Sequence, residues 1–408
     1  MNSTCKQFFS IIIIMFIAYQ SLYSQNILSL SDAIRLALEN NYSIKISKNQ
    51  TKISDNNFTL GNSGFLPSVD ITGRQNNSVV NSKQEFISGN NIDRANASSN
   101  SISGDIGLNW TIFDGMNMFI SYNQLEEFKN IDQIVLRATL ENIIQSVIFQ
   151  DYDIVRQNKM VKVAEETVAL SQERVRITEA QYKLGLASKL DFLQSTVDLN
   201  EDKANLLNQQ VILSNLKVNL NELLARDKNI DFTTNETIGY KKDIEIDKLQ
   251  NAALKNNAEI MISEKNQSLA DLNIKLAKSN LYPKINVFAN YNYSHLESES
   301  GFQKYSTNYG LNYGLSLSYN LFNGLNTQRE IENAKILQDN TMLNHNDLKS
   351  KIEADLIKAF NNYNRNLQLV DFEEQNLNFS KESLEIAKQQ LNLGTYSPLQ
   401  FREAQKSY

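Results

Sequence analysis

The chain has 408 residues, a formal net charge of −6 and 41% hydrophobic residues, which is ample apolar material for a folded protein. The chain is not basic and no Lys/Arg cluster stands out, so the composition argues against a nucleic-acid partner. Because Cys5 is the only cysteine, the chain cannot form an internal disulfide or a metal site built from several cysteines.

The N-terminus has the pattern of a secretory signal peptide. An apolar run over residues 8–19 follows Lys6 and is too short to span a bilayer. We predict cleavage after Ser24, which would remove residues 1–24 together with Cys5. The alternative is an N-terminal membrane anchor, which the short length of the run disfavours.

After the predicted signal peptide, the period of the apolar residues changes from helical to two. Residues 30–62 have the spacing of an amphipathic helix. Apolar and polar residues then alternate over 69–74 and over 105–112, which predicts two strands of a hairpin within residues 67–113. We expect the Asn- and Ser-rich stretch between them, about 76–101, to be a loop.

The longest predicted element is a helix over residues 117–183, which would be about 100 Å long. Two apolar stripes repeat along it every seven residues, a spacing typical of helices that supercoil around each other. The stripes lie on nearly opposite sides, as they would for a stave in a wall of helices. The first stripe is Leu140, Val147, Ile154, Val161, Val168, Val175 and Tyr182; the second is Val163, Leu170, Ile177 and Leu184.

A sharp turn over residues 184–188 follows the long helix. Gly185 ends the helix, and Ser188 with Asp191 has the spacing of a capping box that starts a returning helix. Residues 226–246 are polar and irregular and form a predicted linker.

This plan occurs twice in the chain. An offset of 216 relates residues 36–50 to 252–266, and an offset of 209 relates the stripes and the turn of the two copies. The predicted repeats are residues 25–225 and 247–408. The second contains a helix over 247–280, a hairpin over 283–322 with strands at 285–293 and 309–321, a long helix over 326–392, a turn over 393–397 and a returning helix. Because that returning helix is shorter than its counterpart, we expect the natural chain to continue past Tyr408.

The last strand has the clearest alternation in the sequence. One face is apolar and aromatic and the other is small and polar, which is the dyad pattern of outer-membrane β-barrels. The alternative is an ordinary strand with one buried face, but tyrosines near the strand ends favour the membrane. Four strands cannot close a barrel, so several chains would have to pool their strands. The predicted lipid-facing residues are Trp110, Tyr309, Tyr313, Leu315, Leu317 and Tyr319.

The order, spacing and duplication of these motifs resemble the TolC family of outer-membrane channel proteins over residues 28–408. The motifs are a Leu-Pro pair before a strand, Phe-Asp-Gly or Phe-Asn-Gly after one, and a Leu-Gly turn followed by SKLDFLQS or SPLQFREA. The resemblance implies a mainly helical fold with a small β part and two tandem repeats. It further implies a homotrimer, with four strands per chain in one shared 12-stranded barrel and long helices in a coiled-coil tunnel.

The resemblance also implies a location in the outer membrane, with the tunnel extending into the periplasm. The function would be passive export, in a tripartite efflux pump or a type I secretion system. Partners would be outer-membrane lipid, a periplasmic membrane-fusion adaptor and an inner-membrane transporter. The alternative is a periplasmic coiled-coil adaptor or a surface structural protein, which two complete copies and lipid-type strands disfavour.

The resemblance assigns functional residues to both turns. The periplasmic tip and its adaptor contact would be formed by Leu184, Gly185, Ser188, Leu393, Gly394 and Ser397. An acidic gate ring would fall at Glu403, with Asp191 in the first repeat. The alternatives are a solvated helix face for Glu403, helix capping for Asp191 and helix ends for the two glycines.

The sequence offers no pattern that is typical of an enzyme. His295 and His345 are the only histidines, and neither has neighbouring metal-ligand residues. No phosphate-binding glycine loop and no nucleophile–base pair stand out. We therefore predict a chain without enzymatic activity, metal or cofactor.

Overall fold

The computed structural model describes residues 27–235, 238–300 and 303–408. The predicted signal peptide lies outside these residues. The fold is mainly helical with a small β part, which confirms the predicted class. The helices are α1 (Leu30–Asn40), α2 (Tyr42–Asn57), α3 (Asn117–Lys183), α4 (Lys189–Leu223), α5 (Ile246–Asn256), α6 (Ala258–Ser279), α7 (Asn326–Asn392) and α8 (Pro398–Ser407). The strands are β1 (Ile27–Leu28), β2 (Ser68–Glu85), β3 (Asn91–Phe113), β4 (Thr233–Thr234), β5 (Lys284–Ser298) and β6 (Tyr305–Ser318).

The described residues form two compact units. The first unit consists of the described residues within Met1–Lys48, Leu136–Ala253 and Ile352–Tyr408. The second unit consists of the described residues within Asn49–Val135 and Leu254–Lys351. Each unit therefore draws on both predicted repeats. The bounds of the two repeats stay a prediction from the sequence.

An asparagine interrupts the first helical segment of each repeat, so the predicted continuous helices over 30–62 and 247–280 are wrong. Asn41 separates α1 from α2, and its Oδ1 accepts the backbone N–H two residues further on at 2.9 Å. Asn257 does the same at the start of α6, at 2.8 Å. An asparagine carboxamide satisfies a free N–H at a helix start, so these residues favour a new helix over continuation.

The second unit contains an antiparallel sheet in the order β2-β3-β5-β6. The pairing of β2 with β3 begins where Ser68 lies opposite Asn109 and ends where Glu85 lies opposite Asn91. It has one irregularity, between Val80 and Ser82. The loop predicted over 76–101 is therefore wrong, because most of it is strand. Asn and Ser have low strand propensity, and the cross-strand pairing overrides that local preference. The second hairpin likewise pairs beyond the predicted strand at 285–293.

The first unit has an apolar core where α1, α3 and α4 meet. It consists of Leu28, Ala33, Ala37, Val147, Ile154, Leu220, Leu224 and Phe232. Val147 and Ile154 belong to the first predicted stripe of the long helix and are fully buried. The predicted linker over 226–246 supplies Phe232 and β4, which pairs in parallel with β1. Such a two-residue strand has no sequence period by which it could have been predicted.

Across the ranges that the structure covers, none of the helices combines the length and the hydropathy that crossing a membrane requires.

Gly115, in the turn between β3 and α3, should tolerate no side chain. Its φ is +71°, and an added Cβ would lie 2.3 Å from the backbone oxygen of Ser279. Its repeat counterpart Gly324 has a φ of +69° but no such close contact. We expect Gly115→Ala to lower the free energy of unfolding much more than Gly324→Ala does. At Gly324 the only cost is that of placing alanine in the left-handed backbone conformation, about 1–2 kcal/mol. Thermal unfolding followed by circular dichroism compares the two, and equal losses would contradict the contact with Ser279.

Candidate functional site

One face of the four-stranded sheet is apolar, aromatic and exposed. Tyr313 is 75% exposed and Leu315 is 71% exposed. The register places Trp110, Val287 and Leu315 opposite one another on neighbouring strands, so their side chains share a face. The indole N–H of Trp110 donates to the backbone oxygen of Phe65 at 2.8 Å.

The remaining residues predicted to face lipid are also exposed. They are Tyr309, Leu317 and Tyr319, the last of which follows the end of β6. Odd-numbered residues of one strand share a face because side chains alternate. The structure thus brings the members of this set on β3 and β6 together on one face, and their contact with lipid stays a prediction.

The opposite face of the sheet is mainly polar. One row across the strands reads Asp70, Gly107, Asn290 and Asn312. A Cβ on Gly107 would lie 2.6 Å from Oδ1 of Asn290, so the glycine leaves room for that amide. The sheet therefore has the chemistry of a wall with an apolar environment on one side and water on the other.

Both predicted tip turns have the same backbone geometry. Gly185 has a φ of +72° and Gly394 a φ of +73°, the left-handed conformation that glycine adopts without strain. The N–H of Gly185 donates to the oxygen of Tyr182 at 3.0 Å, and the N–H of Gly394 donates to that of Leu391 at 3.1 Å. These are the bonds that close a helix C-terminus. The glycines are thus explained as helix ends, and a docking role stays a prediction.

The leucine before each of these glycines is exposed. Leu184 is 75% exposed and Leu393 is 78% exposed. Neither side chain is needed to close its turn, because the closing bonds come from the backbone. Each turn therefore presents an apolar side chain that the chain itself does not bury.

The serines after the turns cap the helices that follow. Ser188 and Asp191 form a reciprocal capping box at the start of α4, and the Asp191 carboxylate accepts the backbone N–H of Ser188 at 3.1 Å. Ser397 and Gln400 form the same box at the start of α8. The capping interpretation of Asp191 thus has direct geometric support.

The two candidate gate residues line one cavity of the first unit. Asp191 and Glu403 lie around a space of about 220 Å³ together with Arg174, Asp198 and Arg402. Glu403 is exposed, whereas Asp191 is half-buried and engaged in capping. Glu403 is therefore the better placed of the two to meet solvent in a channel, and a gate role stays a prediction for both.

A buried ion pair lies where α3, α4 and α8 meet. The guanidinium of Arg402 donates to both carboxylate oxygens of Asp202, at 2.6 and 2.8 Å. Ser171 also donates to Asp202, and Gln405 donates to Ser171 Oγ at 2.9 Å and to the oxygen of Thr167 at 3.1 Å. The hydrogen bonds to Asp202 raise the pKa of Arg402, against the opposing effect of burial. The network ties α8 to both helices of the first turn.

Sequence reasoning missed this network. Arg402 and Asp202 lie 200 residues apart, and each occurs in a polar helical segment that resembles a solvated face. The available signal was the internal repeat, because Arg402 stands where the first copy has the apolar Leu193. A charged residue at an apolar position of a repeat indicates a partner that the other copy lacks.

A second arginine is buried beside the first pair. Arg174 on α3 is 1% exposed, and its Nη2 lies 2.9 Å from a carboxylate oxygen of Asp198 on α4. That contact is a charge contact without hydrogen-bond geometry, and Nε of Arg174 has no hydrogen-bond partner among the described residues. Burial lowers the pKa of Arg174, and the charge of Asp198 opposes this effect. The two arginines are balanced by Asp198 and Asp202.

A buried carboxyl on α3 gives a prediction about pH. Asp151 is buried, its Oδ1 has no partner among the described residues, and burial raises its pKa above the ordinary value. The stability that the protonated Asp151 carboxyl contributes is fully present below the pKa of this group in the unfolded chain. It is lost as the pH rises through the pKa of the group in the folded chain. We expect Asp151→Asn to change the free energy of unfolding more favourably at pH 7.5 than at pH 4. The difference between the two changes should be on the order of 1 kcal/mol. Thermal unfolding at both pH values checks this, and an equal effect at the two would contradict it.

The structure shows no metal-binding arrangement in the part of the chain that it describes, where no group of three or more His, Cys, Asp or Glu side chains is placed to hold an ion.

Solved structures of outer-membrane channels share this fold. VceC from Vibrio cholerae is 14% identical over 93% of this chain and 89% of its own, with a TM-score of 0.73. The CmeC outer membrane channel of Campylobacter jejuni is 15% identical over 93% of this chain and 79% of its own, with a TM-score of 0.74. The MtrE outer membrane channel of Neisseria gonorrhoeae is 16% identical over 93% and 82%, with a TM-score of 0.64.

Sequence comparison assigns the family. No curated protein matches the chain in a sequence search. The family model described as outer membrane efflux protein matches residues 33–226 and 249–408, which is most of the chain and most of both predicted repeats. The chain therefore belongs to the outer membrane efflux protein family.

Proposed function

We propose that three copies of the chain assemble into one outer-membrane channel by pooling their sheets. The observation that carries the proposal is the pair of open sheet edges, because β2 and β6 each have one strand neighbour among the described residues. In lipid, each unpaired backbone group costs several kcal/mol. Pairing the β6 edge of one copy with the β2 edge of the next removes this cost, and the copy number of three follows the resemblance to the TolC family.

Exposed apolar positions on the long helices support the same assembly. Phe372, Phe379 and Ile386 lie on α7 at intervals of seven residues and are exposed in the single chain. Such a stripe needs a neighbouring helix to cover it. In the proposed trimer, neighbouring copies supply that helix, and the ring of helices surrounds a water-filled conduit into the periplasm.

The proposed partners are a periplasmic membrane-fusion adaptor and an inner-membrane transporter. The exposed Leu184 and Leu393 form the proposed adaptor contact, in a tripartite efflux pump or a type I secretion system. The channel is passive, so energy comes from the transporter. Lipid contacts the apolar sheet face, and the net charge of −6 gives no basis for nucleic acid. The alternative of an adaptor or surface protein does not fit the efflux-channel family.

Replacing both tip leucines tests the proposed adaptor contact. Cells that lack the native gene receive the wild type, Leu184→Asp with Leu393→Asp, or the exposed linker control Tyr240→Asp. We expect the double variant to lose export of a fluorescent dye while its purified form conducts normally in planar bilayers. Dye export by the double variant at the wild-type level would overturn the adaptor contact. Absence of any bilayer current from the wild type would overturn the channel itself.

A ring of three Glu403 carboxylates is proposed at the gate. Rings of acidic side chains favour cations in a pore. We expect Glu403→Gln to reduce the cation preference measured from the reversal potential in a salt gradient, whereas Glu385→Gln, at an exposed position of α7, should not. Equal selectivity of the Glu403 variant and the wild type would contradict the ring.

A further inference from the structure

One aromatic side chain lies on the mainly polar face of the sheet. Side chains alternate along a strand, and the register places Phe288 of β5 opposite Asn109 of β3 and Gly314 of β6. Among the even-numbered described residues of β5 and β6, which lie on this face, Phe288 is the only aromatic one. It is half-buried, so part of it is open to solvent. The proposed lipid contact does not explain this residue, because lipid would meet the other face.

A glycine on the neighbouring strand accommodates the ring. A Cβ on Gly314 would lie 3.0 Å from Cζ of Phe288 and 3.3 Å from its Cε1, which is closer than a side chain normally approaches. The far end of the ring thus occupies the space that a side chain at Gly314 would need. On the opposite side, the Asn290 carboxamide occupies the equivalent space over Gly107. The ring therefore leans onto β6 and lies across the sheet rather than standing upright from it.

Asparagine side chains surround the ring. Asn286 and Asn290 lie two residues before and after Phe288 on the same face, and Asn109 lies opposite it and is exposed. The hydroxyl of Thr111 donates to Oδ1 of Asn286 at 2.8 Å, which orients that carboxamide. Each carboxamide carries both donor and acceptor atoms. The site thus combines an aromatic surface with a polar rim, as small-molecule sites commonly do.

The charge around Phe288 favours a cation. Three rows of the described sheet are centred on this residue, and Asp70 is the only charged residue in them. Across the strands the rows are Ser68, Asn109, Phe288 and Gly314; Asp70, Gly107, Asn290 and Asn312; and Thr111, Asn286 and Ser316. The face of an aromatic ring attracts cations. A planar aromatic cation could therefore stack on the ring, bond to the rim and gain from the negative charge nearby.

We propose that Phe288 and its asparagine rim form a binding site for planar aromatic cations on the inner wall of the channel. In the proposed channel the mainly polar face surrounds the lumen, and each copy contributes one complete site. Phe288 lies near the end of β5 that follows α6, so a solute from the helical conduit meets the site as it enters the barrel. The site is an open surface, so it slows such a solute without trapping it. This inference rests on the proposed function.

Block of single-channel current by ethidium tests the site. Ethidium is a planar aromatic cation, whereas cyclohexylammonium has the same charge on a ring that is neither planar nor aromatic. In planar bilayers, ethidium should interrupt the wild-type current for longer than cyclohexylammonium does. Phe288→Leu keeps an apolar side chain but removes the ring, so the ethidium interruptions should become about tenfold shorter. Phe288→Tyr keeps the ring and should restore the wild-type duration.

A second aromatic residue of the same strand provides the matched control. Tyr291 lies opposite Leu311 on the apolar face, so Tyr291→Leu removes a ring from β5 without changing the inner wall. This variant should keep the wild-type ethidium interruptions. Equal interruptions in Phe288→Leu and the wild type would overturn the site, as would equal shortening in Tyr291→Leu. Equal interruptions of the wild-type current by the two cations would also overturn it, whatever the variants do. Absence of any wild-type current would instead overturn the proposed function.

Discussion

Leu315→Arg is expected to keep the chain out of the membrane. Leu315 lies on the apolar face of β6 and is exposed in the single chain, so a guanidinium there would enter the hydrocarbon of the bilayer. On the lipid face of an outer-membrane barrel an arginine near the midplane costs about 2–4 kcal/mol. The proposed trimer would contain three such residues in one barrel, which multiplies the effect.

The neighbouring residue provides the control. Ser316 follows Leu315 on the opposite, polar face of the same strand and pairs with Asn286. Ser316→Arg should therefore insert at the wild-type level, because its side chain would meet water. Urea titration of each protein folded into lipid vesicles measures the difference. Equal insertion of the two variants would show that the apolar face does not contact lipid.

Arg402→Met is expected to be the most damaging single change in the first unit. It leaves the Asp202 carboxylate buried and without its main cationic partner, and breaking such a pair costs about 3–5 kcal/mol. The double change Arg402→Met with Asp202→Leu removes both charges and should recover most of the loss. Thermal unfolding in detergent, followed by circular dichroism, measures all three proteins.

An exposed ion pair supplies the comparison for Arg402. Lys358 and Asp355 lie 3.0 Å apart on α7, and both side chains are exposed. Lys358→Met should change the free energy of unfolding by less than about 1 kcal/mol, as is usual for surface pairs. If Arg402→Met were equally mild, or if the double variant were no better than the single one, the buried pair would not hold α8 in place.

Family membership makes the chain an outer-membrane efflux protein, located in the outer membrane and extending into the periplasm. Its structure contains a sheet with one apolar and one largely polar face, as the proposed membrane wall requires. A passive channel needs such a wall and a route for solute, and it requires no nucleophile or metal. The buried charges of the first unit join α8 to α3 and α4.

Much of the sheet and of the long helices could be predicted from residue periods. Leu315 and Leu317 alternate with small polar residues, so their common face followed from the sequence alone. The long stretch over 76–101 could not be predicted as strand, because its Asn and Ser residues have low strand propensity and only pairing fixes them. Asn41 is a residue type that caps helices, but the helical spacing of apolar residues continues through it. The sequence therefore did not predict the helix break at Asn41.

The candidate site could be predicted only where it depends on local sequence. The turns at Gly185 and Gly394 are local, so the sequence located them and their left-handed backbone explains the glycines. The pair of Arg402 and Asp202 is a contact between distant segments, and no local pattern identifies such a partner. The internal repeat was the one source of long-range information, because it shows where the two copies differ.

The mass of the natural protein, extracted from outer membranes in detergent, tests the central claim most directly. Light scattering that corrects for bound detergent gives the number of copies per particle. The open sheet edges and the apolar sheet face of each chain predict a detergent-dependent oligomer, and the resemblance to the TolC family makes the expected copy number three. A monomer that stays soluble without detergent would contradict the shared barrel and, with it, the proposed channel.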